Sequence, residues 1–350
     1  MLIYIHIPFC DSKCHYCSFN SYVDLFHLRE SYMQALLVQL EHEIKRFRPQ
    51  PKSIETLFIG GGTPSTVRPE QYKALFELLG PYLAENAEIT SEANPNSATT
   101  SWLKGMHDLG VNRISFGVQS FDDEKLKKLG RAHNSQDAAS ALVRAKEVGF
   151  EHLSLDLIYA VDGDTKALLE HDLKNAFSLP IDHLSAYALT IEEGTPFAAT
   201  PEMAKEKLAL TEWFLQSIKK RFKSYEISNF GTYHSQHNLG YWQYKDYIGL
   251  GSGAVGFLKD TRFYPTKDVQ SYIDDPLQIE EESLSPESIK IEKIFLGLRS
   301  IVGVSSTILS KQELQQAELL VQEEKLRYKD GTFYNDDYLL SDELALFIQQ

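Results

Sequence analysis

An α/β fold on a largely parallel sheet is predicted by three features of the chain: short β-branched runs, helix-period segments alternating with them, and turn or cap residues at the joints. The strands, in order, are 2–7 (LIYIHI), 55–60 (ETLFIG), 87–93 (AEITSEA), 112–119 (NRISFGVQ), 152–159 (HLSLDLIY) and 183–190 (HLSAYALT). Helices are expected between them, as in 28–47 and 135–149, where apolar residues recur every three or four positions. Ser135 suits an N-cap and Gly149 a C-terminal stop. Pro69 fits a first helical position, and Gly80 ends that helix. Six strands alternating with helices read as repeated βα units, in an open doubly wound sheet or in a full or partial barrel. In either case ligands gather beyond the carboxyl ends of the strands.

Past about residue 200 the pattern changes. A long helix over 201–222 leads into YEISNF and a Gly- and aromatic-rich stretch, 231–257, and 274–288 (DDPLQIEEESLSPES) reads as a linker. Two helical patterns follow, 292–301 and 310–324, then a hairpin over 326–335 whose Asp330-Gly331 is a strong turn signal. A last short helix, 341–349, starts at a Ser cap. The expected division is 1–225, a connecting segment 226–285, and a small C-terminal helix-plus-hairpin domain, 286–350.

With 350 residues and 43% hydrophobic content the chain can bury a large core. No basic leader precedes an apolar run, and nothing approaches the ~20 uninterrupted apolar residues of a spanning helix. Its 49 acidic and 35 basic residues leave a formal net charge of −14, which repels a phosphate backbone and argues against nucleic acid as a partner. All three cysteines crowd into eight positions, so they form no disulfide framework, and a reducing cytoplasm is the expected compartment.

Cys10, Cys14 and Cys17 are spaced C-x3-C-x2-C in a loop directly after the first strand. A zinc site would need a fourth ligand, borrowed from His6 or His15, since no second cysteine pair exists. Buried thiols without function are the blander reading. An iron–sulfur cluster with three thiolates on four irons leaves one iron open for another ligand.

This spacing, with Tyr16 just before the third cysteine, resembles the radical S-adenosylmethionine superfamily. YIHIPFC, GGGTPS (60–65), FGVQS (116–120), LGRAH (129–133) and DLIYA (156–160) narrow the resemblance to the group of oxygen-independent coproporphyrinogen III dehydrogenases and heme chaperones, over nearly the whole chain. It implies a partial (β/α)6 barrel with a winged-helix-like C-terminal unit. It also implies a [4Fe-4S] cluster on the three cysteines and S-adenosylmethionine on the open iron. Glycines at 60–62 allow close backbone approach to the methionyl group, which assigns Gly61, Gly62 and the Thr63 hydroxyl to the cofactor. Glu92 is placed to accept from ribose hydroxyls, and Tyr4, Gln119, Arg131 and Asp156 match family positions around the cofactor. Arg131 could pair with its carboxylate.

Two departures point away from the dehydrogenases: Phe19 stands where they carry a further cysteine, and the chain starts one residue before its first strand, without their N-terminal extension. HNLGYW (237–242) instead matches the H-N-x-x-Y-W motif of the heme chaperones. His237 beside Tyr241, Trp242, Tyr244 and Tyr247 is what a flat macrocycle with an axial-ligand demand would use, so His237 is the expected heme contact, with His133 and His234 as weaker candidates. The resemblance implies heme delivery to a respiratory hemoprotein, with membrane association and dimerisation in the heme-loaded state. In place of the family's Leu-Pro-Gly turn after the fifth strand the chain reads AVDGDT (160–165), which puts that loop's geometry in question.

Overall fold

The strands alternate apolar residues facing outward with largely polar residues facing inward, around a mostly polar interior. The computed structural model describes residues 1–350. Its elements begin β1 (Leu2–Ile7), α1 (Arg29–Phe47), β2 (Ile54–Gly61), α2 (Pro69–Leu79), β3 (Leu83–Ala93), α3 (Thr100–Asp108), β4 (Arg113–Gln119), α4 (Asp123–Lys128), α5 (Ser135–Val148), β5 (His152–Tyr159), α6 (Lys166–Ser178) and β6 (His183–Ala188). Each of these strands pairs in parallel with the next. The chain continues through α7 (Leu208–Lys219), β7 (Lys223–Ser224), β8 (Asn229–Gly231), α8 (Gln236–Trp242), β9 (Tyr247–Leu250), β10 (Gly256–Leu258), β11 (Thr261–Pro265), α9 (Val269–Asp274) and β12 (Ile279–Ser283). β9 adds a seventh parallel strand beside β1, β10 to β12 follow it antiparallel, and β8 and β7 extend the β6 side. β12 and β7 end the 12-stranded sheet on its two sides, so the barrel is partial, as the family resemblance implies.

Outward residues such as Ile3, Ile5, Leu57, Ile59, Ile114 and Leu155 pack under the helices in one large core. Inward, the register aligns Tyr4, Phe58, Thr90, Arg113 and His152 in one layer, with Glu92, Ser115, Ser154 and His183 in the next. A barrel filled only for stability carries branched apolar residues here. α8 plugs the opening at the amino ends of the strands: Gly240 packs so tightly on Leu2 that a Cβ there would sit 2.6 Å from its side chain.

The C-terminal unit comprises α10 (Pro286–Leu298), β13 (Val304–Ser305), α11 (Lys311–Gln322), β14 (Arg327–Lys329), β15 (Thr332–Tyr334) and α12 (Ser341–Ile348), with the small sheet ordered β13-β15-β14. It has an apolar cluster of its own around Leu298, Leu320, Phe333 and Ile348. Asp330 and Gly331 adopt φ +50° and +80°, as the hairpin turn requires. No helix is long and apolar enough to cross a membrane.

Several local expectations are corrected. The helix expected over 201–222 is confined to α7, because residues 203–205 are taken into backbone pairing with the loop after β5: Asp162 N–H donates to Met203 O and Lys205 N–H to Ala160 O, both at 2.8 Å. The expected linker 274–288 contains β12, and α10 begins at Pro286. Asn134, not Ser135, caps α5, in a reciprocal box with Asp137. Ser341 lies inside α12 and donates to Leu298 O and Tyr338 O instead of capping. The 160–165 loop holds its turn without proline: Asp164 accepts from Val161 N–H at 3.0 Å and pairs with the buried Lys125 ammonium at 2.8 Å.

Candidate functional site

The loop after β1 carries the three thiols, with Cys10 and Cys14 buried and Cys17 partly exposed. Its middle docks on the end of α4, where His15 N–H donates to Leu129 O at 3.0 Å and His15 Nδ1–H to Lys128 O at 2.9 Å. Two of the sulfurs receive hydrogen bonds: Thr63 Oγ1–H donates to Cys10 Sγ at 3.3 Å, and Arg131 Nη1–H to Cys14 Sγ at 3.2 Å. Asn94 links these donors, accepting from Arg131 at 2.7 Å and donating to Thr63 Oγ1 at 3.1 Å. Burial pushes the Cys10 thiol up, and the Thr63 hydroxyl pulls it back. No group of three His, Cys, Asp or Glu side chains converges on a point as a single-ion site demands. A four-iron cluster takes one thiolate per iron, so its ligands surround a cage instead.

The turn after β2 packs against this loop. A Cβ on Gly62 would lie 2.8 Å from Phe9 O and 3.0 Å from Cys10 Sγ, and Gly61 has φ +110° with the His6 ring directly over it. Only glycine fits at either position. Gly61 N–H donates to Glu92 Oε2 at 3.0 Å. Burial, with the Asp156 carboxylate as a second cause, pushes Glu92 up to about 8. Asp156 itself is raised to about 6, again mainly by burial. Gln119 closes β4 at φ +71°, beside a register shift against β5, and its buried Oε1 has no hydrogen-bond partner. A strained residue with an orphaned polar atom is the kind of position a ligand completes.

Tyr4 O–H points to His6 Nδ1 at 3.0 Å, while His6 Nε2 lies 2.7 Å from Asn20 O. A carbonyl only accepts, so Nε2 carries the proton and Nδ1 receives the tyrosine hydroxyl.

Two cavities lie on either side of Tyr4. The first, about 620 Å³, is bordered by Tyr4, His6, Gly61 and Glu92, by the loop after Cys17 including Phe19, and by Lys13 and Lys267. Of the residues expected to hold the cofactor, Tyr4, Gly61 and Glu92 border it; Gly62, Thr63 and Arg131 pack instead around the thiols, and Gln119 and Asp156 lie outside its lining. The second, about 480 Å³, is chiefly aromatic: Tyr4, Phe58, Tyr241, Tyr244, Tyr247 and Phe257 line it with His237, and Lys245, Arg262 and Glu292 supply charge.

His237 lies at the amino end of the barrel, opposite the cysteine loop, whereas the sequence places functional groups at the carboxyl ends. Its ring stacks on Phe58 at 5.0 Å, Nδ1 meets Thr56 Oγ1 at 2.7 Å and Nε2 meets Tyr241 O–H at 3.0 Å. Burial, then the Arg113 charge, pushes it down to about 3, so the imidazole is neutral and able to ligate a metal. Glu88 fixes its helix: the carboxylate accepts from Tyr233 O–H at 2.8 Å, Gln236 N–H at 2.9 Å, His237 N–H at 3.0 Å and Ser235 O–H at 3.3 Å. Trp242 does not line the cavity. His133 is buried with Nε2–H donated to Val118 O, and His234 stacks on Tyr225, so neither faces it. The sequence reading missed Asn94, Glu88, His6 as a partner of Tyr4, and Arg262; the alternating Glu88-x-Thr90-x-Glu92 was the one available signal of a polar barrel interior.

Residues 4–176 match the Radical SAM superfamily. The heme chaperone HemW of Bacillus subtilis (strain 168) is 37% identical over 321 residues, covering 86% of this chain and 84% of that protein. HemW of Escherichia coli (strain K12) is 39% identical over 265 residues, 73% of this chain and 69% of that one. Among solved structures, coproporphyrinogen III oxidase (HemN) from Escherichia coli, a radical SAM enzyme, superposes with a TM-score of 0.81 at 20% identity, over 99% of this chain and 89% of that chain; the likeness is one of fold.

Proposed function

The chain belongs to the HemW family within the radical SAM superfamily, and on that premise we propose that it is a heme chaperone. It would hold a [4Fe-4S] cluster and S-adenosylmethionine beside the cysteine loop, take heme into the aromatic cavity, and deliver it to a recipient hemoprotein in the cytoplasm or at the membrane surface. The observation that carries this reading is the pair of cavities with Tyr4 as a common wall, one beside the thiols and polar, the other aromatic and bordered by a neutral imidazole.

Each residue has a role in keeping with its surroundings. Cys10, Cys14 and Cys17 would ligate three irons, leaving the fourth for the amine and carboxylate of S-adenosylmethionine. When bound, a cluster of this type supplies single electrons next to the sulfonium. Thr63 and Arg131 donate to two of the sulfurs and so favour the more negatively charged, reduced state. Gly61 gives the cofactor bare backbone to approach, Gly62 lets the turn pack against Cys10, and Glu92, neutral at pH 7 by its raised pKa, can donate to a ribose oxygen as well as accept from one. Gln119 has an unused acceptor and Asp156 a buried carboxyl near Glu92, which fit them for the remaining polar atoms. His237 would ligate the heme iron after Tyr241 O–H releases Nε2, with aromatic rings against the porphyrin faces.

The test is anaerobic reconstitution of the purified chain, followed by iron analysis and incubation with coproporphyrinogen III, S-adenosylmethionine, a one-electron reductant for the cluster and an electron acceptor for the decarboxylation. The reading expects about four irons per chain, lost in the Cys10→Ala variant, and no vinyl product. Vinyl product despite Phe19 would assign the chain to dehydrogenase chemistry instead.

A further inference from the structure

We infer that Arg262 and the Tyr244 hydroxyl form a carboxylate site at the rim of the aromatic cavity, that this site receives a propionate of the bound heme, and that Glu292 competes for it. The inference rests on the heme reading above and specifies how the ligand is oriented.

The rim is built from three separate elements. Arg262 comes from β11, Tyr244 from the link between α8 and β9, and Glu292 from α10 of the C-terminal unit. Arg262 Nη2 lies 2.7 Å from both oxygens of Glu292, and Tyr244 O–H donates to Glu292 Oε2 at 2.5 Å. Tyr244 reaches this position from a left-handed backbone, φ +60°, which a bulky residue adopts only when its surroundings hold it there. The three side chains all border the cavity, with Leu296 one turn beyond Glu292 on the same face of α10. The other cation of the lining, Lys245, is engaged by Glu55 at 2.5 Å.

A guanidinium and a phenol converging on one carboxylate, beside an aromatic wall, recognise a flat apolar ligand with a carboxylate arm. In the chain itself that carboxylate is Glu292. Arg262 and Glu292 retain 27% and 29% of their side-chain exposure, so an incoming carboxylate reaches Arg262 from the solvent side. Exchange replaces one charge-assisted pair by another, and a rotation of the Glu292 side chain is sufficient. Affinity is then set by competition: any state with Glu292 on Arg262 is not competent for the propionate, and weakening that state raises apparent affinity. Glu282, 4.0 Å from Arg262 and half exposed, is a weaker rival on the outer side.

The experiment titrates the cluster-loaded full chain with ferric heme and, separately, with heme dimethyl ester, which has the same macrocycle without ionised propionates. Binding is read from the Soret band for the wild type, Arg262→Gln and Glu292→Gln. Arg262→Gln should weaken heme binding roughly tenfold and leave the ester unaffected. Glu292→Gln, nearly isosteric, should strengthen heme binding roughly threefold or more, again without effect on the ester. Equal weakening of both ligands by Arg262→Gln, or weaker heme binding by Glu292→Gln, would reduce the pair to a strut that shapes the cavity and overturn the inference. Wild type that binds heme as tightly as both variants overturns this inference alone. Wild type that binds neither ligand overturns the heme reading, and this inference with it.

Discussion

Tyr4 and Val255 are the two residues common to the walls of both cavities, and Tyr4 divides its chemistry between them. Its hydroxyl is committed to His6 Nδ1, which borders only the polar cavity, while its ring stacks on Phe58 at 6.2 Å, which borders only the aromatic one.

Tyr4→Phe therefore separates the two sites. Removing the hydroxyl leaves His6 Nδ1 without its donor and should weaken S-adenosylmethionine binding about tenfold. The retained ring should hold heme affinity within about twofold. Parallel calorimetric and absorption titrations check both values.

Glu92 makes stability fall with pH. Its folded-state pKa of about 8 lies above the ordinary carboxylate value, so the native state keeps a proton that the unfolded chain releases. The stability this supplies is complete below the unfolded pKa and is lost as pH rises through 8. In cofactor-free protein, denaturant melts should show the stability advantage of wild type over Glu92→Gln falling by up to about 1.4 kcal/mol per pH unit across that window. Glu92→Gln should remove this contribution and keep those of Glu43 and Glu226, raised to about 7, and of Asp156, raised to about 6, all mainly by burial.

Glu88 is the test of how α8 is held. Four donors meet one buried carboxylate, and Glu88→Gln would turn an amide N–H₂ toward them. Equilibrium unfolding should show a loss of about 2–3 kcal/mol, accompanied by weaker heme binding because His237 loses its fixed position.

How far the sequence foretells these features depends on how local their causes are. β1 and β5 end at the residues the sequence predicts, because each is a run of alternating, mostly β-branched or leucine positions bounded by turn residues. β9 was not foreseen: it has four residues, one of them Gly249, and pairs with β1 across more than 240 positions. The cysteine loop and the glycine turn were legible because their spacing is local. Asn94 and Arg262 were not, since each is a single polar residue whose meaning comes only from what the fold brings to it. His237 was singled out by its motif, but its place at the amino end of the barrel follows from α8 turning back under the strands.

The donors to sulfur should set the cluster's potential. Thr63→Val removes the bond to Cys10 Sγ and should lower the midpoint potential by roughly 40 mV, taking about 1 kcal/mol per hydrogen bond. Asn94→Ala, which only loosens Arg131 and Thr63, should shift it in the same direction by less. Spectroelectrochemical titration of the reconstituted proteins measures both.

The central claim, that heme is held in the aromatic cavity by His237, is tested most directly by titrating ferric heme into wild type and His237→Ala and reading the iron's axial ligation spectroscopically. The account predicts saturable binding with an imidazole-ligated spectrum in the wild type, and loss of that signature in His237→Ala. An identical spectrum and affinity in the two proteins would contradict it, and would place the heme ligand elsewhere in the molecule.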